Sequence, residues 1–157
     1  MEIPRFKEGG AMFHGRANLN LDSKGRLAVP AKYRDALAAQ CAGQLVLTAD
    51  SREHLLIYPA PEWNSVQEGL MRLSNANPIV KKLQRFLVGN AQEAELDSAG
   101  RILVSPELRE FAGLDKSLTL VGVGRKFELW DAAKLNQQMS EPLSYEEMKG
   151  ELEGFSW

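Results

Sequence analysis

The chain of 157 residues predicts an α+β protein, mainly β, made of two copies of one small unit. Three observations predict this. The phrase LDSKGR at 21–26 returns as LDSAGR at 96–101. The match continues without a gap, LDSKGRLAVPAKYR (21–34) against LDSAGRILVSPELR (96–109). Further on, QLVLT (44–48) answers SLTLVG (117–122), and HLLIYP (54–59) answers KFELWD (126–131). Both copies therefore read strand, turn, strand, short helix, strand, turn, strand. Each half-length copy would be marginal alone.

The elements follow in order. ANLNL (17–21) alternates weakly and stops at Asp22. An Asp at the head of a turn accepts backbone N–H groups further on, and a Gly three residues later supplies a positive φ. Asp22 with Gly25, and Asp97 with Gly100, thus specify tight strand-to-strand loops. RLAVP (26–30) is an apolar run stopped by Pro30, and AKYRDALAAQ (31–40) reads as a short helix. LVLT and LLIY are β-rich runs separated by the turn TADSREH. In the second copy SPELREFAG (105–113) carries a Ser cap, Pro at the first helical position and a closing Gly, while VGVGRK supplies the turn.

Between the copies the texture changes. Trp63, Val66, Leu70 and Leu73 fall on one helical stripe. Asn77-Pro78 restarts a helix whose expected apolar face is Ile79, Leu83, Phe86 and Leu87. The tail after Leu135 is acidic, with Leu143, Met148, Leu152, Phe155 and Trp157 scattered along it. A docked helix and disorder both remain open there. The expected organisation is an N-terminal extension (1–15), a basic first unit (16–63), a helical linker (64–90), a second unit serving fold and assembly (91–134) and an acidic tail (135–157).

Composition bounds the function. Net charge is −2, so bulk charge argues for no partner, and a nucleic-acid binder would need its positive charge gathered locally. The single cysteine, Cys41, allows no internal disulfide and fits a reducing cytosol. No apolar run approaches the ~20 residues needed to span a bilayer. MEIPRFKEGGAMFHG has no apolar signal-peptide core, and residues 1–11 are given no structural role.

The lysine-to-alanine difference between the two phrases is informative. From 14 to 34, Arg16, Lys24, Arg26, Lys32 and Arg34 face only Asp22, a balance of +4. From 93 to 109, Arg101 and Arg109 face Glu93, Glu95, Asp97 and Glu107, a balance of −2. A loop flanked by Lys and Arg suits phosphate oxygens, and Arg adds bidentate reading of guanine. The first copy is therefore the candidate nucleic-acid contact, through Arg16, Lys24, Arg26, Lys32 and Arg34, with Arg101 as a further candidate. Arg26 and Arg101 either pair with their own turn Asp or project outward as donors. A plain solvated basic face is the competing reading.

Enzymatic readings find little support. Two-copy Asp residues suggest an aspartic-protease dyad, but that needs Gly directly after a small hydroxyl residue, and Lys24 or Ala99 intervenes. His14, His54 and Cys41 form no metal-ligand spacing. GVGRK (122–126) lacks the spacing and hydroxyl of a phosphate-cradling loop. No metal, cofactor or small-molecule substrate is expected.

GRANLNLDSKGRLAVPAKYRDAL, YPAPEW, NP…QRFLVGNA, ELDSAGRILVSPELREFAGL and LVGVGRKFELWD, in that order, resemble the MraZ family of bacterial regulators over residues 12–135. The resemblance implies two SpoVT/AbrB-type swapped-hairpin units forming a pseudo-twofold barrel, joined and flanked by amphipathic helices. It implies a ring-like homo-oligomer that binds short G-rich direct repeats in double-stranded DNA. Such a protein would be a cytoplasmic, nucleoid-associated repressor of the division and cell-wall gene cluster. The family's basic loop falls on Asp22, Lys24, Gly25 and Arg26, and its short-helix Arg on Arg34. In the second copy Asp97, Gly100, Arg101 and Arg109 match, with Ala99 in place of the lysine. Since AbrB-type hairpins also occur in toxin–antitoxin pairs, an antitoxin-like interaction module is the alternative.

Overall fold

The computed structural model describes residues 12–49 and 51–156. The expectation for residues 1–11 lies outside them. The first half contains β1 (Phe13–Asn20), β2 (Arg26–Ala28), α1 (Ala31–Cys41), β3 (Gln44–Ala49) and β4 (Leu55–Pro59). Helices α2 (Ala60–Arg72) and α3 (Pro78–Leu87) follow. The second half repeats the order with β5 (Gln92–Glu95), β6 (Arg101–Leu103), α4 (Pro106–Ala112), β7 (Ser117–Gly124) and β8 (Phe127–Asp131). The tail forms α5 (Ala132–Met139) and α6 (Tyr145–Glu151). The sheet takes in residues 13–15, expected to belong to the extension. Phe13 is buried and stacks on Phe127 at 4.3 Å between ring centroids.

The two halves complete each other. Strand pairing is antiparallel throughout, in a six-stranded sheet of order β1-β7-β8-β4-β3-β5 and a two-stranded ribbon β2-β6. The opening strand of each half lies against the third strand of the other, β1 on β7 and β5 on β3. This is the exchange expected of swapped hairpins. No backbone pairing among the described residues joins β1 to β5.

Strand alternation explains the sequence runs. Leu45 and Leu47 of β3 and Leu55 and Ile57 of β4 face a core shared by both halves, with Leu27, Val29, Leu37, Ile102, Val104, Leu108, Leu120 and Leu129. Val46, Leu56 and Tyr58 face the other way, against Trp63, Leu70 and Leu87 of α2 and α3. A strand pair covered on both faces buries every position, which is why LVLT and LLIY do not alternate, and the polar member Thr48 donates its hydroxyl to the Leu87 carbonyl at 2.6 Å.

The helix caps follow the sequence signals. Asn77 accepts the Ile79 N–H at 2.8 Å ahead of Pro78, and Ser105 accepts the Leu108 N–H at 3.2 Å ahead of Pro106. The expected apolar faces are only partly covered. Leu73 is exposed at the end of its stripe. On α3, Leu87 is buried, but Ile79 is 76 % and Leu83 38 % exposed. Among the described residues α3 packs on the sheet near its C-terminal end, through Leu87. The tail divides: α5 docks through buried Leu135, whereas α6 buries no residue. Among the described residues no helix is long and apolar enough to cross a membrane.

Candidate nucleic-acid interface

The two repeated loops have the same internal wiring. The Asp22 carboxylate accepts the N–H of Lys24 at 2.9 Å and of Arg26 at 2.8 Å on one oxygen, and Arg26 Nε–H at 2.9 Å on the other. The Gly25 N–H donates to the Asp22 carbonyl at 3.0 Å, and Gly25 takes a φ of 82°. In the second loop Asp97 accepts from Ala99 N–H at 2.9 Å, Arg101 N–H at 2.8 Å and Arg101 Nε–H at 3.0 Å. Gly100 takes a φ of 75°. These bonds favour the ionised acid. Asp22 is held below the usual aspartate range, chiefly by the Arg26 backbone N–H and then by the Arg26 side chain. Asp97 is held down in the same way, chiefly by the Arg101 backbone N–H.

Of the two roles open to Arg26 and Arg101 in sequence, both residues take the pairing with their own Asp. The pairing uses only Nε. Among the described residues no hydrogen bond ties the terminal NH2 groups of Arg26, so a fork of donors remains for an outside acceptor. Lys24 is exposed at the loop tip.

The loops lie at the ends of the β2–β6 ribbon. Its register pairs Arg26 with Leu103, Leu27 with Ile102 and Ala28 with Arg101. Leu27 and Ile102 point into the core. Alternation therefore turns Arg26, Ala28, Arg101 and Leu103 to the opposite face, where Leu103 is 57 % exposed. A two-stranded ribbon has the width to enter a DNA major groove, and its arginines and an exposed leucine match guanine edges and thymine methyl groups.

The other sequence candidates do not gather at the first loop. Arg16 points to the β1 face opposite Phe13 and lines a groove with Asn18, Thr119 and Asn136. Lys32 is exposed on α1, with its ammonium 5.0 Å from the centre of the Tyr33 ring. Arg34, counted with the basic cluster of the first copy, lies against the second loop. Its Nε donates to the Val29 carbonyl at 2.7 Å, and a Cβ on Gly100 would come within 2.6 Å of its Cζ. Arg109 does the reverse, with Nε donating to the Val104 carbonyl at 3.1 Å and its Cζ 2.9 Å from where a Cβ on Gly25 would sit. Strand exchange crosses the two arginines over. In sequence Arg109 matched Arg34 but was not placed at the first loop, and Leu103 was not singled out. The alignment of Arg109 with Arg34 was the available signal for Arg109, once the exchange is known. Leu103 had none, because exposure is not written in a three-residue strand. Among the described residues no three His, Cys, Asp or Glu side chains are grouped to hold a metal ion.

Comparison with known proteins agrees with this architecture. The family model described as "MraZ protein, putative antitoxin-like" matches twice, over residues 12–86 and 87–152. A protein of Nitrosospira multiformis named transcriptional regulator MraZ is 54% identical over 146 residues, covering 92% of this chain and 99% of the relative. One of the same name from Thioalkalivibrio sulfidiphilus is 57% identical over 120 residues, covering 76% and 80%. The Escherichia coli O127:H6 relative is 48% identical over 138 residues, covering 87% and 91%. With both repeats matched in order and near-complete overlap at this identity, the chain belongs to the MraZ family.

Proposed function

We propose that the chain is a transcriptional regulator that binds double-stranded DNA through its first repeated loop. Lys24 supplies a phosphate contact and the free fork of Arg26 reads a base edge. The observation that carries this is the loop's wiring: Asp22 is satisfied by N–H groups of its own turn, while Lys24 and the terminal groups of Arg26 stay available. The names of the relatives support the regulatory class.

One such loop makes few phosphate contacts, so a single subunit binds weakly and salt-sensitively. We further propose a ring-like homo-oligomer on short G-rich direct repeats upstream of a division and cell-wall gene cluster. The protein would act there as a cytoplasmic, nucleoid-associated repressor. Multiplying one weak patch against repeated sites raises affinity by about 10²–10⁴ where the spacing matches. The uncovered apolar residues of the linker, Met71, Leu73, Ile79 and Leu83, support contacts between subunits. Gel shifts on DNA from upstream of the chain's own gene, across a salt series, test the reading. Arg26→Ala should abolish the shift with the oligomer intact, and Lys24→Ala should reduce the salt slope by about one unit. An Arg26→Ala protein that binds as tightly as wild type at moderate salt refutes the site.

A second reading, an antitoxin-like module, is favoured by α6 of the acidic tail, which buries no residue of its own. A small partner protein that co-purifies with the full chain, and is lost when the tail is removed, would support it.

A further inference from the structure

In chain order Arg109 belongs to the acidic half, yet in space it belongs to the basic loop. We propose that Arg109 is a positioning residue for DNA binding, holding the Lys24–Arg26 loop in its phosphate-binding form from the opposite half of the molecule. This rests on the DNA-binding reading above.

The contacts form a closed clamp. Gly25 turns its bare α-carbon to the guanidinium of Arg109, where an added Cβ would lie 2.9 Å from Cζ, 3.1 Å from Nη2 and 3.2 Å from Nε. The Gly25 carbonyl accepts the Val104 N–H at 2.9 Å, and the Val104 carbonyl accepts Arg109 Nε–H at 3.1 Å. Val104 is thus tied on one side to the loop and on the other to Arg109. Arg109 stands on α4, which is capped by Ser105 and seated through buried Leu108 and Ala112. A loop braced from a packed helix presents Lys24 and Arg26 with little conformational freedom left to lose on binding. The guanidinium also brings a positive charge to a loop that already carries two.

The molecule contains its own control. Arg34 clamps the second loop by the same scheme, with Nε on the Val29 carbonyl at 2.7 Å and the Val29 N–H on the Gly100 carbonyl at 2.9 Å. That loop carries Ala99 where the first carries Lys24. The two braces are alike as structure and differ in the loop they serve.

The test compares full-length wild type, Arg109→Ala, Arg109→Lys, Arg34→Ala and Arg26→Ala. Each is melted at one protomer concentration and titrated onto a duplex from upstream of the chain's own gene at fixed salt. Arg109→Ala and Arg34→Ala should lower the melting temperature by similar amounts. Arg109→Ala should weaken DNA binding about tenfold more than Arg34→Ala, the scale of one good contact. Arg109→Lys keeps the charge without the planar group and should recover only part of the loss. If Arg109→Ala does not fold, Arg109→Lys against Arg34→Lys makes the same comparison. Equal losses for the two arginines, a greater loss for Arg34, or full recovery with lysine overturns the proposal. If Arg26→Ala binds normally, the reading beneath it has failed instead.

Discussion

Replacing Gly25 by alanine tests the loop geometry directly. At a φ of 82° an alanine pays the left-handed penalty that glycine avoids, about 1–2 kcal/mol. Its methyl would also come 2.9 Å from Arg109 Cζ, so the guanidinium must withdraw and give up its bond to Val104. A hydrogen bond of that kind contributes about 0.5–1.5 kcal/mol net. Together the loss is about 1.5–3.5 kcal/mol, and at about 2–4 °C per kcal/mol the melting temperature falls by about 3–14 °C. Gly100→Ala, with a φ of 75° and Arg34 in the same relation, should cost a similar amount. The assay is a circular-dichroism melt at fixed protomer concentration, paired with the DNA titration. Stability should fall alike in the two variants, and DNA affinity should fall further for Gly25→Ala. A Gly25→Ala protein that melts within about 2 °C of wild type refutes the clamp, because the loop would then relax without cost.

Phe127→Ala removes a buried ring packed on Phe13 at 4.3 Å and Tyr33 at 4.9 Å, and urea unfolding should report a loss of about 3–5 kcal/mol. Ile79→Lys changes a side chain that is 76 % exposed, so it should leave urea-unfolding stability within about 0.5 kcal/mol of wild type while light scattering shows a smaller assembly; an unchanged mass would count against the linker as an interface. The lowered folded pKa values of Asp22 and Asp97 make their contribution to stability present above the ordinary aspartate value of about 3.9 and lost as pH falls through the folded values. The stability gap between wild type and Asp22→Asn/Asp97→Asn should therefore hold steady near neutrality and close in acid, as followed by melts across that range.

Local chemistry made much of the fold legible before any coordinates. The Asp-to-Gly turns, the Asn77 and Ser105 caps and the strand runs each depend on neighbours a few residues apart, and each forms as read except that β1 starts earlier, at Phe13. Amphipathic pattern located α3, yet it could not say whether a neighbour covers Ile79 and Leu83, since a stripe records a preference and not a partner. The basic cluster was legible as charge and misleading as geometry. Residues 14–34 are close in sequence, but β1 sends Arg16 to its far face and strand exchange carries Arg34 to the second loop.

The amino-acid order by itself determined a duplicated unit, the two loops and the difference in charge between them, because these depend on residue type at short range. Only the tertiary structure decided which arginine serves which loop. Within each half the third strand pairs with the fourth along one edge only, and its other edge is satisfied by the opening strand of the other half, which brings α4 of one copy over the loop of its twin.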